Sequence, residues 1–305
     1  MTFIRAAVAI DVRGPCSYLQ ATVRFVTARK SCPPLGPPLY HPAEVAAILV
    51  LKLLLTPLLI GGSTLAARRW GPMVGGWIIA LPLTSGPILV FLAAGQGPTF
   101  AAAAAVGSLA GLAAIAAFCA VYSAAARRVG PATSFAAASP FFFVAGAALQ
   151  PTLDEPIWLP LAIVIVAVAL AARFIPAGGA EHAPLPHPWW DIPARMVVAT
   201  AVVVGITAIA PFLGPHWSGV VATFPVYLSV LAVFTHRHAG AAAADDVLRG
   251  LLGGLYGTAA FFVVVDVGLA PIGLVGTFLV ALALTAAIGA IALIRMRPGR
   301  QPEPA

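Results

Sequence analysis

A repeat in register constrains this chain more than any other feature. Shifting the sequence by 143 positions lays Gly71-Pro72 on Gly214-Pro215, Gly76 on Gly219, Pro82 on Pro225 and Val90-Phe91 on Val233-Phe234. Gly97 meets Gly240, Gly107 meets Gly250, Gly111-Leu112 meets Gly254-Leu255, and Ala116-Ala117-Phe118 meets Ala259-Ala260-Phe261. About fifty residues align without a gap. Matches of Ala or Leu come easily in an apolar chain, but matches of Gly and Pro, which set turns and breaks, do not. Both copies carry a proline inside an apolar stretch, where a membrane helix must bend or break. Paired broken helices point to a transport site.

Hydrophobic residues make up 61% of the 305 and charged residues 9%, against roughly 45–50% and about 25% in a soluble domain. One globule cannot hide that much apolar surface, so the expected solvent is lipid. The apolar runs suit helical spans of about 20 residues, and the alternating pattern of a lipid-facing barrel is missing. The net charge of +7 sits in the short connections. It therefore reads as a topology signal and not as a nucleic-acid surface. Cys16, Cys32 and Cys119 form no CxxC, so no disulfide framework or metal site is expected.

Nine apolar runs are read: Val45–Ala67, Met73–Ala94, Phe100–Ala126, Pro131–Leu149 (interrupted by Pro140), Ile157–Ala172, Met196–Phe212, Trp217–Phe234, Val247–Val267 and Pro271–Ile294. Alternate connections sort the charge. One side receives Arg68, Arg69, Arg127, Arg128, Arg173, Arg195, Arg237, Arg249, Arg295, Arg297 and Arg300; the other receives Gln150–Glu155, Pro211–His216 and Asp266–Ala270, without Lys or Arg. The arginine side is then cytoplasmic, with the C-terminus inside. Residues 1–44 disagree, because they would lie outside yet carry Arg5, Arg13, Arg24, Arg29 and Lys30. Two readings of this tail are kept: a non-native extension, with translation starting near Val45, or a disordered or amphipathic arm.

Under the repeat, run two matches run seven. Five crossings separate them, and five is odd, so the copies point in opposite directions. The expected fold is an all-α integral membrane protein of about nine transmembrane helices. It forms an inverted internal repeat, four plus four with one linker helix, with helices two and seven interrupted by proline. The expected units are a tail (1–44), a first repeat (45–150), a linker helix (151–175), a cytoplasmic loop (176–194), a second repeat (195–294) and a cytoplasmic tail (295–305).

The candidate binding residues lie at the two breaks. In the first, Pro82 and Gly86-Pro87 remove helix donors, and Thr84 and Ser85 lie between them. In the second, Pro225 has Thr223, Tyr227 and Ser229 as polar neighbours. Backbone freed at membrane depth persists only inside protein or beside a wet cavity. The alternative reading is a pair of kinked structural helices. Gly107 with Gly111 and Gly250 with Gly254 have the small-xxx-small spacing that seats helices closely. Lys52 is the one basic residue well inside a run, where a charge role competes with snorkelling to the interface.

Asp245 and Asp246 are read as acids near the cytoplasmic start of run eight, with Asp245 pairing to Arg249 at i,i+4. No acid falls at mid-depth, so a carboxylate proton relay gains no support, and Na⁺ held by carbonyls at the breaks stays open. His182, His187, His236 and His238 read as solvated loop residues. Trp70, Trp158, Trp189, Trp190 and Trp217 read as interfacial anchors. Walker A, GxGxxG, HExxH and GxSxG are absent. No enzyme activity, cofactor or nucleic-acid partner is expected.

The leading expectation is a secondary transporter, permease or exporter, of a small neutral or anionic solute. It would sit in a bacterial inner membrane and work by alternating access. The alternative is a non-transporting scaffold, assembly factor or partner subunit.

Overall fold

The structure, a computed structural model, describes residues 42–176, 188–209 and 223–296. Residues 1–41, with Gly214-Pro215, Trp217, Gly219, His182 and His187, lie outside the described residues. Among the described residues every regular element is helical. These are α1 (Pro42–Trp70), α2 (Pro72–Ala80), α3 (Ser85–Gln96), α4 (Pro98–Ala126), α5 (Pro131–Ala148), a short 3₁₀ turn (Gln150–Asp154), α6 (Trp158–Phe174) and α7 (Asp191–Ile209). The stretch Val226–Met296 is divided by non-helical backbone at Gly240 and Gly273. We call its parts α8 (226–239), α9 (241–272) and α10 (274–296).

Gly-Pro pairs punctuate the chain. Gly71 (φ 95°) and Gly97 (φ 93°) adopt a backbone that side-chain-bearing residues avoid. Pro72 and Pro98 then open the next helices, where their missing N–H costs nothing. Gly130-Pro131 plays the same part with negative φ. The expected interruption at Pro140 is not seen, because α5 runs straight through it. One missing donor leaves the other backbone pairs intact, and in lipid an unbroken helix is the cheaper arrangement.

Among the described residues, four stretches are long and apolar enough to cross a membrane: Pro72–Gly95, Pro98–Ala126, Pro131–Thr152 and Val226–Ala292; Trp158–Phe174 is apolar but shorter. The outer helices present large apolar side chains, among them Leu58, Val144, Phe174, Val275 and Leu279, each more than 60% exposed. Soluble monomers rarely leave such surface in water. The chain has the character of a helical membrane protein.

The core runs along α4 and α9. Ala101, Ala105, Leu109 and Phe118 on α4 are fully buried, and so are Ala244, Leu248, Leu252 and Phe261, their counterparts 143 positions on. α2 lies along the Val226–Met296 stretch, α4 against α5 and α6, and α1 against α7.

Candidate functional site

The first break is built by Pro82. A residue before proline is driven out of the helical region, and Leu81 is extended at φ −62° and ψ 142°. The chain turns over Pro82, with the Leu83 N–H donating to the Leu81 carbonyl at 2.7 Å. The helix resumes when the Gly86 N–H reaches the Pro82 carbonyl at 2.8 Å. Pro87 withholds the next donor a turn later, so two successive turns lose a bond and the break holds.

The second break repeats this geometry at an offset of 143. The Val226 N–H donates to the Phe224 carbonyl at 2.8 Å across Pro225, and the Ser229 N–H to the Pro225 carbonyl at 2.9 Å. Ser229, which occupies the position of Gly86, adds its hydroxyl to the same carbonyl at 2.8 Å. Residues 223–225 are non-helical and α8 starts at Val226; the segment before them lies outside the described residues.

Each break rests on a buried core helix, the first on α9 and the second on α4. Thr258 of α9 donates its hydroxyl to the Ala80 carbonyl. A side chain at Gly254 would collide with Ala80, and one at Gly86 would reach Phe261 at 3.6 Å. At the second break, Thr223 lies against Gly111 of α4, 3.1 Å from where a Cβ would stand. The Gly111–Thr223 and Gly254–Ala80 contacts exchange partners under the 143-residue offset. Phe224 packs into rings of α4 and α5, with Phe118 at a centroid distance of 6.3 Å and Phe142 and Phe143 at 5.3 and 5.6 Å.

Among the predicted site residues, Pro82, Gly86, Pro225 and Ser229 are buried, and Thr84, Ser85, Pro87, Thr223 and Tyr227 are partly exposed. Thr84 makes no capping hydrogen bond. The Tyr227 hydroxyl lies 3.1 Å from Thr56 Oγ1, which joins α8 to α1. Thr56 was not expected, and its place one turn beyond Lys52 was the only hint. Lys52 lies in α1, its side chain outside the described residues.

Two polar clusters lie near the end of α8. Asp191 is fully buried at the start of α7. Its carboxylate accepts from Arg68 Nη2 of α1 at 2.6 Å and Arg195 Nε at 3.0 Å, and His238 Nε2 of α8 lies 3.2 Å away. Burial pushes its pKa up, but the hydrogen bond and charge of Arg195 and the hydrogen bond of Arg68 outweigh burial and hold it below the usual carboxylate range. The Arg195 guanidinium also lies 5.0 Å from the Phe234 ring centroid.

The second cluster faces α4. His236 Nδ1 lies 3.4 Å from the Tyr122 hydroxyl. His236 and His238 are therefore helix residues with packed partners and not solvated loop residues. Asp245 and Asp246 are buried, at 4% and 7% exposure. Arg249 stays within electrostatic reach of Asp245. However, its Nη1 donates to the Ile175 carbonyl at 2.8 Å and the Ala172 carbonyl at 3.4 Å, at the end of α6. The expected i,i+4 bridge yields to these carbonyls because a helix C-terminus attracts cations.

No protein-family model, curated protein or solved structure matches the chain.

Proposed function

We propose that this chain is a secondary carrier of a small neutral or anionic solute, working by alternating access. The observation that carries the reading is the duplicated break: the turns over Pro82 and Pro225 share their hydrogen bonds residue for residue. Interrupted helices at matching positions of two halves are how carriers expose backbone at a binding site near mid-membrane. The exchanged contacts, Gly111 with Thr223 and Gly254 with Ala80, fit two halves related by a pseudo-twofold axis. Counterpart helices α1 and α7 pack on each other, which such an axis also favours.

In this reading nine spans form an inverted four-plus-four repeat in a bacterial inner membrane. α6 is the linker, and the C-terminus is cytoplasmic. The clustering of Arg68, Arg127, Arg195 and Arg249 near the end of α8 supports that orientation. Solute binds between the breaks, where Thr84, Ser85 and Tyr227 supply hydroxyls and the starts of α3 and α8 supply positive helix ends.

The test is solute uptake and counterflow in proteoliposomes, over a panel of sugars, neutral amino acids and monocarboxylates. Wild-type protein should move at least one class, and Ser85→Ala and Tyr227→Phe should weaken it. No flux across the panel, or both variants moving solute normally, would overturn the reading in favour of a scaffold or partner subunit.

A further inference from the structure

Asp245 is buried, and its Oδ1 has no hydrogen-bond partner. Its surroundings explain why. On α4, Arg127 donates to the Ser123 hydroxyl at 3.3 Å, and Ser123 hydrogen-bonds to the Asp245 carboxyl. The same Arg127 nitrogen reaches the Phe174 carbonyl at 3.1 Å. Arg249, one turn along α9, turns to the Ile175 and Ala172 carbonyls. Both guanidiniums thus face the negative end of α6 and engage Asp245 only through Ser123 or across space. Asp246 adds a second acid to the same buried layer. Tyr122 of α4 also faces it, and His236 of α8 lies against Tyr122.

A buried carboxylate oxygen without a donor is costly while charged, and the cost vanishes when a proton sits on it. Asp191 is the contrast. It is more deeply buried, but it accepts hydrogen bonds from two guanidiniums on different helices, which hold it ionised. The two carboxyls flank one helix end in opposite protonation environments.

We propose that Asp245 is a reversible proton-binding site, and that the proton is the ion coupled to transport. The coupling half rests on the carrier reading above; the binding half does not. Taking up a proton on Oδ1 removes one negative charge from the layer between α4 and α9. These are the helices against which the two breaks lie, Ala80 on α9 and Thr223 on α4. Proton occupancy is thereby placed to bias how the halves pack.

The binding half is tested by pH-jump infrared difference spectroscopy on the full chain in lipid. Wild type should gain the C=O stretch of a protonated carboxyl, Asp245→Asn should lose that band, and Asp191→Asn should keep it. An identical band in Asp245→Asn overturns the assignment. Ser123→Ala removes one hydroxyl and guards against misfolding of the Asn variant. Ser123 donates to the charged form, so its loss should move the titration midpoint to higher pH, and an unmoved midpoint counts against the site.

The coupling half is tested in proteoliposomes under an imposed pH gradient, with the panel named above. Wild type should accumulate solute, whereas Asp245→Asn should exchange it without accumulation. Flux indifferent to the gradient overturns coupling alone. No flux at all overturns the carrier reading and leaves proton binding to the infrared result.

Discussion

Gly97 and Gly240 stand 143 positions apart and share one unusual backbone, φ 93° and ψ 165° at the first, φ 84° at the second with ψ 176°. Each separates a helix that begins at a proline break from a central helix of the core. Neither has any atom within 4 Å of where a Cβ would stand, so space is not at issue at either position. The region is nearly closed to other residues, with strain of order 1–3 kcal/mol. Gly97→Ala and Gly240→Ala should therefore each lower stability by about 1–3 kcal/mol, and by similar amounts. Unfolding in lipid nanodiscs measures both; one tolerated and one severe result would mean that the two turns are not equivalent.

Gly250 and Gly107 are also counterparts, but their surroundings differ. A Cβ at Gly250 would run into the Met73 carbonyl, while Gly107 meets nothing within 4 Å among the described residues. Backbone cannot move aside as a side-chain tip can. Gly250→Ala should push α2 off α9 and cost about 1–3 kcal/mol. Gly107→Ala should be neutral or stabilising by up to about 1 kcal/mol, the helix propensity gained. The same unfolding measurement on the two variants gives the comparison.

Much of the helical layout was legible in the sequence because apolar run length and Gly-Pro punctuation act locally. The run read as Phe100–Ala126 is α4 at Pro98–Ala126, and the run from Pro131 is α5. The break at Pro82 was legible too, since Leu81, Gly86 and Pro87 carry its causes within a few residues. Pro140 misled because a lone proline does not decide between a kink and a break. The polar clusters were illegible for a different reason. Asp191 takes its character from Arg68, 123 positions away, and Asp245 from Ser123 and Arg127 on another helix. Charge-rich ends of apolar runs look solvated until packing places another helix beside them. In the same way, Thr56 entered the site through Tyr227, 171 positions away, with no motif to announce it.

Asp191→Asn should be among the most destabilising single changes in the chain. It removes the acceptor shared by Arg68 and Arg195 and leaves the Arg195 guanidinium, only 4% exposed, without its carboxylate. Breaking a buried pair from one side costs about 3–5 kcal/mol. The pH dependence follows from a depressed carboxylate pKa. The contribution is complete above the unfolded value, about 3.9, and is lost as pH falls through the lower folded value. Wild type should lose stability below about pH 4, and Asp191→Asn should lack that acid limb. Unfolding measured from neutral to acid pH in both proteins tests it, and parallel curves would remove Asp191 from its role as the hub of α1, α7 and α8.

The prolines themselves allow stability and function to be separated. Pro82→Ala restores an N–H and frees Leu81 from the extended region that a following proline imposes. An apolar segment in lipid then gains by continuing as a helix across 81–84, since every backbone pair closes within the segment. Removing a helix-interior proline can return up to about 3 kcal/mol, less whatever packing at Ala80 and Gly86 is lost. Pro82→Ala should therefore fold at least as stably as wild type, exchange its amides at 83–85 more slowly and, on the carrier reading proposed above, lose most of the solute flux. Pro225→Ala should do the same at 226–228. Hydrogen exchange and counterflow on the same preparations decide the matter. Slow amides with full flux would mean that the broken backbone plays no part in binding, and unchanged amides would mean that something other than proline holds the turns open.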